Sequence, residues 1–420
     1  MLILRAFKTE LDLNNRQKTA CARHAGAARY AYNWGLARKI AAYRNGEKVH
    51  TAIDLHRELN VLKKTELVWM YAVSKCAPQE ALRDLDRAYA HFFRRVKEKK
   101  AGKMVKVGFP RFKSKKHGVG GFRLTGAIHI FEKVIQLPRL GVLRLKESGY
   151  LPTEGVKVLS ATVSERAGRW FVSIQVEMEI PDPDPEGKPV AGIDLGLTRL
   201  ATVSDGTAFE NPRALKSNLG RIKRLQRVVS RRQPGSANRR KAIARLARTH
   251  QRVANIRKDA LHQVTSRLAR TKAAVVLEDL NVSGMLRNHH LAQAIADVGW
   301  YEFRRQMTYK GAWYGCQIFL ADPYFPSTRR CSGCGNIKAD MALSQRQYVC
   351  EACGLSLDRD LNAAHNLEGL LVGTEWNARM IVSTASSAGS HACGEDVRPG
   401  FQATLEEAGT EPRSTLCRFV

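Results

Sequence analysis

Long apolar runs are missing from this 420-residue sequence: none reaches the 18 or so residues that a membrane-spanning helix requires. The opening stretch, MLILRAFKTELDL, lacks the apolar centre of a secretory leader, and no lipidation signal is present. A soluble, cytoplasmic protein with no membrane partner is therefore expected. Acids are scarce, with 39 Asp and Glu against 69 Lys and Arg, a formal net charge of +30. So strong an imbalance points to a polyanionic partner. Nucleic acid is the commonest one for a large soluble protein, because each neutralised phosphate releases condensed counterions. The nine cysteines are odd in number and five of them are scattered, which argues against a disulfide framework. No internal repeat is visible.

The length leaves room for two or three domains, each with its own core. LILRAFKTELDL reads as a strand, and residues 16–44 have helical periodicity, with Ala, Tyr and Trp on one face. Helices continue to about residue 99, the last of them opening after Ala77 with Pro78 at its first position. Tyr30, Tyr32 and Trp34 read as core rather than as platforms for bases. From Arg94 to Lys116 there are 11 Lys or Arg and one acid, a candidate contact to backbone phosphate. Residues 119–180 alternate over short runs separated by turn signals and read as antiparallel strands. The first strand could close the same small barrel, which would make the intervening helices an insertion. PDPDPEGKP, residues 181–189, is a Pro- and acid-rich linker. Beyond it VAGIDLGLTRLATVSDG opens an α/β unit, and residues 221–270, with 16 Lys or Arg and one Asp, read as a basic helical hairpin broken around QPGSAN. AAVVLEDL is a buried-type strand ending in acids, and the last 50 residues look weakly ordered.

Four cysteines, Cys331, Cys334, Cys350 and Cys353, form a C-x2-C, x15, C-x2-C array, the spacing of a zinc ribbon whose 15-residue excursion forms a hairpin. A closed four-thiolate site has no open position, so it should scaffold rather than catalyse. Cys21, Cys76, Cys316, Cys393 and Cys417 read as small apolar residues or spare thiols. Asp194 and Glu278 each follow an apolar run, where buried parallel strands would end, and sites in open α/β sheets lie at such ends. A third acid stands in LDRDLNAAHNL, where either Asp358 or Asp360 could cap the helix that begins there. Three such carboxylates could ligate Mg2+ or Mn2+ ions roughly 3.5 to 4 Å apart and cut a phosphodiester. With the basic flanks, the residues alone point to a metal-dependent nuclease.

GIDLGLTRLATVSDG, VVLEDLN, the Cys array and LDRDLNAAHNL, in this order, resemble the three RuvC-type motifs and zinc ribbon of TnpB, the RNA-guided endonuclease of insertion sequences. The likeness extends to GAARYAYNWGLARKIAAY, FPRFKSKK, DVGWYEFRRQMTYKGAWYG and the late HACGEDVRP, and so covers nearly the whole chain. It implies an RNase H-like nuclease domain (190–327 and 355–370) interrupted by the ribbon (328–354). Before the linker it implies an oligonucleotide-binding wedge barrel (1–12 and 119–180) with a helical recognition insertion (13–118); residues 371–420 are expected to be a disordered tail. The resemblance places the catalytic, Mg2+-binding acids on Asp194, Glu278 and Asp360, the last because it stands two residues before Asn362, and leaves Asp358 as a supporting or capping residue. It also implies two Mg2+ ions, one structural Zn2+, a guide RNA encoded with the element, duplex DNA as target and a monomeric protein. Lys75 and Gln79, four residues apart at a helix start, match positions that the family uses near the short motif adjacent to its target. Gln can pair bidentately with adenine, although capping would explain it equally well. Arg94, Arg95, Arg111 and Lys113 are the expected backbone contacts. A guide-directed binding protein without cleavage and a strand-joining transposase are the competing readings.

Overall fold

The computed structural model describes residues 1–342, 344–371 and 378–381. Cys393, Cys417, HACGEDVRP and most of the expected tail lie outside these residues. β1 (Leu2–Asp12) leads into α1 (Asn15–Arg44), α2 (Ala52–Thr65) and α3 (Cys76–Lys100). The chain then returns as β2 (Gly121–Leu124), β3 (His129–Ile130), β4 (Val134–Leu137), β5 (Gly141–Leu145), β6 (Val156–Arg166) and β7 (Arg169–Glu179). These strands form one antiparallel sheet in the order β2-β6-β7-β1-β5-β4-β3. β1 is paired along nearly its whole length with β7, from Leu2 opposite Glu179 to Leu11 opposite Trp170. Val172, Ile174 and Val176 alternate inward with Ile3 and Leu11, the period-two pattern of a half-buried sheet.

The three helices between β1 and β2 rest on the same core, where Leu36, Leu55, Leu59, Leu82 and Leu85 are fully buried, each such side chain contributing about 1.5–3 kcal/mol. α1 starts from a reciprocal capping box between Asn14 and Gln17. Its small residues let α3 come close; a Cβ on Gly35 would meet Leu82 Cδ2 at 2.7 Å. α3 begins at Cys76, two residues before the sequence reading placed it, so Pro78 is its third residue. The first turn has no intrahelical acceptor for its N–H groups, so proline is tolerated there as well.

The second half runs β8 (Val190–Asp194), β9 (Arg199–Val203), β10 (Ala208–Glu210), the basic helices α4 (Ala214–Arg231) and α5 (Ala237–Thr271), then β11 (Ala274–Leu277). It continues with α6 (Val282–Met285), α7 (Ala292–Val298), α8 (Trp300–Tyr314), β12 (Gln317–Ala321), β13 (Gln347–Val349), β14 (Ser356–Asp358), α9 (Arg359–Gly369) and β15 (Ala378–Ile381). The sheet order is β10-β9-β8-β11-β12-β15, with β8, β11 and β12 mutually parallel. β15 falls within the expected tail, yet it pairs antiparallel with β12, and Ile381 packs on the core that holds it there. Among the described residues no helix is long and apolar enough to cross a membrane.

Parallel strands must be covered on both faces, and here they are. Leu261, Val264 and Leu268 of α5 and Phe303 and Met307 of α8 cover one face, while Leu367 and Leu370, on and just beyond α9, pack on Val276 at the other. α9 reaches β8 at Gly192, where a Cβ would overlap the Ala364 carbonyl oxygen and the Glu368 nitrogen and lie 2.9 Å from Leu367 Cβ. Two of these atoms are helix backbone, so Gly192→Ala must push α9 off the sheet. The expected result is a loss of about 1–3 kcal/mol, read as a melting temperature lower by roughly 2–4 °C per kcal/mol. A variant with wild-type melting would show that α9 can yield at no cost.

Candidate functional site

The pairing of β8 with β11 fixes where two of the acids meet. Gly192 lies opposite Val276 and Ile193 opposite Leu277, so Asp194 and Glu278 are the next residues on adjacent parallel strands, at their carboxyl ends. Asp279, the second acid of that strand, is bound instead by Arg304 at 2.6 Å and Arg379 at 3.3 Å, which leaves Glu278 for the strand-end site. Ser327 donates its hydroxyl to Glu278 Oε1 at 2.6 Å.

The third acid comes from α9. Asp358 is its N-cap, accepting from the backbone N–H groups of Asp360 (3.0 Å) and Leu361 (3.3 Å), and it also pairs with Arg199 at 3.3 Å. Asp360, in the first turn, carries the charge-assisted contact with Arg359, whose guanidinium reaches its Oδ1 at 3.2 and 3.3 Å. The two acids of the triplet therefore have different work, one holding the helix start and one beside the strand ends.

Burial first, then the negative charges of Glu278 and Asp360, holds the Asp194 carboxyl well above the usual carboxylate range, with Arg359 opposing. Burial also raises Glu278, and the Ser327 hydrogen bond pulls it the other way. Asp194 thus feels two acids against one guanidinium, an under-neutralised set of hard oxygen donors of the kind that Mg2+ or Mn2+ takes, although the three carboxylates do not close to within 4.8 Å of one another.

The soft site lies next to it. Cys331, Cys334, Cys350 and Cys353 have all their sulfur atoms within 4.8 Å of one another, the only such group of potential ligands among the described residues. Sγ to Sγ distances are 3.6 Å for both Cys331–Cys353 and Cys334–Cys350, near the ~3.8 Å edge that a tetrahedron with 2.3 Å zinc–sulfur bonds requires. The Cys350 thiol is drawn down to about 6, chiefly by the Cys353 backbone N–H. The Leu355 backbone N–H lowers Cys353, yet the neighbouring thiols, Cys334 first, push it up to about 12. Among the described residues the excursion between the knuckles forms no hairpin of its own. Arg330 bridges Ile337 around the first knuckle, and β13 pairs with β14 around the second, because fully buried Tyr348 anchors β13 beside Cys331 and Cys350. Cys21, Cys76 and Cys316 are buried thiols elsewhere.

Two asparagines that sequence reasoning assigned no role join these sites. Asn366, one turn after Asn362, donates to the carbonyls of Ser327 (2.8 Å) and Arg330 (2.7 Å). Asn362 donates to the same Arg330 carbonyl at 2.7 Å and accepts from the Ser332 N–H at 3.0 Å. Both are buried. Their i, i+4 spacing in NAAHN was the available signal, since buried amides one helical turn apart must find backbone partners on one face.

The proposed nucleic-acid residues lie on the helical layer. Lys75 is exposed immediately before α3, and the half-buried Gln79 makes no side-chain cap there, which removes capping as its explanation. Arg94 and Arg111 are exposed, while Arg95 donates to the Lys106 carbonyl at 3.0 Å and so shapes the basic loop as well. Lys113 is already engaged, its ammonium 3.9 Å from the Tyr32 ring centroid. Tyr32 is core at 5% exposure, whereas Tyr30 is 39% exposed, so Tyr30, Tyr32 and Trp34 do not share one environment. The basic hairpin of α4 and α5 is tied to the second sheet by buried Asp297, which accepts from the Leu215 and Lys216 N–H groups and from Arg257.

Residues 173–289 match the family OrfB_IS605, described as a probable transposase, residues 300–367 a Cas12f1-like TNB domain, and residues 1–48 a helix-turn-helix domain. In the structure the last of these segments contains a strand and a single long helix rather than a helix pair. A protein of Streptomyces pristinaespiralis is 35% identical over 401 residues, covering 94% of this chain and 92% of its own length; InsQ of Escherichia coli (strain K12) is 34% identical over 382 residues, covering 87% and 91%. Both carry the name "Putative RNA-guided DNA endonuclease". The CRISPR-associated endodeoxyribonuclease Cas12f1 of Sulfoacidibacillus thermotolerans is 25% identical over 222 residues, 48% of this chain and 50% of its own.

Proposed function

The chain belongs to the TnpB family of RNA-guided DNA endonucleases, and we propose that it cuts DNA by attack of water at a divalent-metal centre held by Asp194, Glu278 and Asp360. The observation that carries this reading is the charge environment of Asp194: its carboxyl, at the end of one parallel strand, is raised by burial and by the negative charges of Glu278, at the end of the next strand, and Asp360, at the start of α9. Divalent cations bound there would lower the pKa of the attacking water and neutralise the leaving oxygen. The protein's share is positioning. Ser327 fixes the rotamer of Glu278, Asp358 fixes the first turn of α9, and Arg359 shares the charge of Asp360 until a cation takes it. The four thiolates would hold one zinc that keeps this frame in place.

In this reading the second sheet is the RuvC-type nuclease domain, and the first sheet with α1–α3 is the wedge and recognition part. Lys75 and Gln79 face the short motif beside the target, and Arg94, Arg95 and Arg111 follow the phosphate backbone. The basic hairpin grips a guide RNA–DNA heteroduplex by its backbone, leaving sequence to base pairing.

The test is to express the chain with its adjacent noncoding RNA and supply guide-matched plasmid with Mg2+ over a randomised flanking library. Double-strand cleavage that needs the RNA, the matched target and Mg2+ is expected. RNA-independent cutting, or products in which a 3′-hydroxyl has been joined to target DNA, would overturn the reading in favour of another nuclease or a strand-joining transposase.

A further inference from the structure

The segments GAARYAYNWGLARK and FPRFKSKK take no part in either metal site, yet they build one feature together. A cleft of about 890 Å³ lies between α1 and the short turn Val68–Ala72 that precedes α3, within the roughly 300–1,000 Å³ range of small-ligand sites. Its most conspicuous walls are Tyr30 and Trp69, 39% and 47% exposed, with ring centroids 5.6 Å apart and planes at 89°. Rings held edge to face and left open to solvent offer one free π-face and one free edge. A Cβ on Gly26 would meet nothing within 4 Å, so the glycine leaves the α1 wall open. No carboxylate lines the cleft. Arg23 on its rim makes no ion pair among the described residues, whereas Arg29 is committed to the Val119 carbonyl at 3.1 Å. Asn33 ties the basic segment to the same wall, bonded to Lys113 in both directions at 2.7 and 2.9 Å. The wall also ends at Val73, two residues before Lys75.

An apolar slot with a cationic rim and no acid suits a flat, uncharged ring attached to a phosphate. We propose that this cleft takes one unpaired nucleobase of the target DNA, released where the duplex opens beside the motif faced by Lys75 and Gln79, its ring against Trp69 and Tyr30 and its phosphate at Arg23. Trapping one base lowers the cost of opening the first pair, before guide pairing has begun to offset it. This inference rests on the guided-endonuclease reading and on the placement of Lys75 and Gln79.

The experiment uses the complete complex with two targets, one fully paired and one pre-opened by mismatches next to the motif. Trp69→Ala and Tyr30→Ala should each slow cleavage of the paired target by roughly 5- to 150-fold, the range that stacking of one base spans, and cut the pre-opened target at nearly the wild-type rate. Trp69→Phe should retain most of the activity. With 2-aminopurine at the first target positions, fluorescence should be quenched in the wild-type complex and recover in Trp69→Ala. Equal losses on both targets, unchanged 2-aminopurine signals, or weakened guide-RNA affinity as the main effect would each overturn the assignment, the last by giving the cleft to RNA. Wild-type protein that cuts neither target would instead count against the endonuclease reading itself.

Discussion

Asp194→Ala should slow DNA cleavage by roughly 10³-fold or more, about 4 kcal/mol of barrier, while guide-directed binding and zinc content stay at wild-type levels. A carboxylate that holds the reacting centre's cations acts on the transition state, where several kcal/mol of charge stabilisation arise; the basic helices proposed to grip nucleic acid are untouched by the change. The stability of the metal-free protein should move in the opposite direction. Asp194 is raised by burial and by Glu278 and Asp360, so its charged form is strained in the folded chain. As pH falls toward the ordinary carboxylate range near 4, the folded chain takes up this proton before the unfolded chain does; the associated stability is therefore gained on acidification and lost as pH rises again. Asp194→Asn removes the strain at neutral pH. In Mg2+-free, zinc-loaded protein it should melt a few degrees above wild type, at roughly 2–4 °C per kcal/mol relieved, and the difference should close as pH falls. Cleavage within tenfold of wild type, or an Asn variant that melts lower without Mg2+, would show that Asp194 is not at the centre of an acidic cluster.

What the sequence disclosed and what it hid follow from the range of the forces involved. Acids at the ends of apolar runs and paired cysteines are local patterns, and the residue types alone expressed their chemistry. Asp358 and Asp360 were not separable by such reasoning, because either could begin a helix; only the contacts with the first-turn N–H groups give the capping role to Asp358. Gly192 gave no signal at all, since its requirement is the backbone of α9, more than 170 residues away in the chain. Pairing of β1 with β7 is equally non-local, and alternation could show that both were strands without showing that they were partners. Tyr30 fell between the two cases: helical spacing suggested core, and tertiary packing left it beside Trp69 at an open cleft instead.

Cys350→Ser, or removal of zinc, should abolish cleavage nearly as completely as loss of an acid, even at saturating Mg2+. A structural zinc of this kind supplies on the order of 10 kcal/mol or more to the folding of its module, and β13 and β14, three residues each, would not persist as an isolated pair without it. The loss would not stay in the ribbon. β14 runs directly into the Asp358 cap and the first turn of α9, and the turn leading into the first knuckle carries Ser327, the partner of Glu278. Asn362 and Asn366 fasten these two segments to each other through Arg330, Ser332 and Ser327, so Glu278 and Asp360 are released together. Asn366→Ala separates this coupling from zinc binding. It should keep one zinc per chain by elemental analysis, lower cleavage by about 10- to 100-fold, as outer partners of metal sites do, and raise the Mg2+ concentration needed for half-maximal rate. Zinc-free protein that cuts at the wild-type rate would make the ribbon an appendage. An Asn366→Ala chain with unchanged Mg2+ dependence would show that the two centres share a boundary without sharing their geometry.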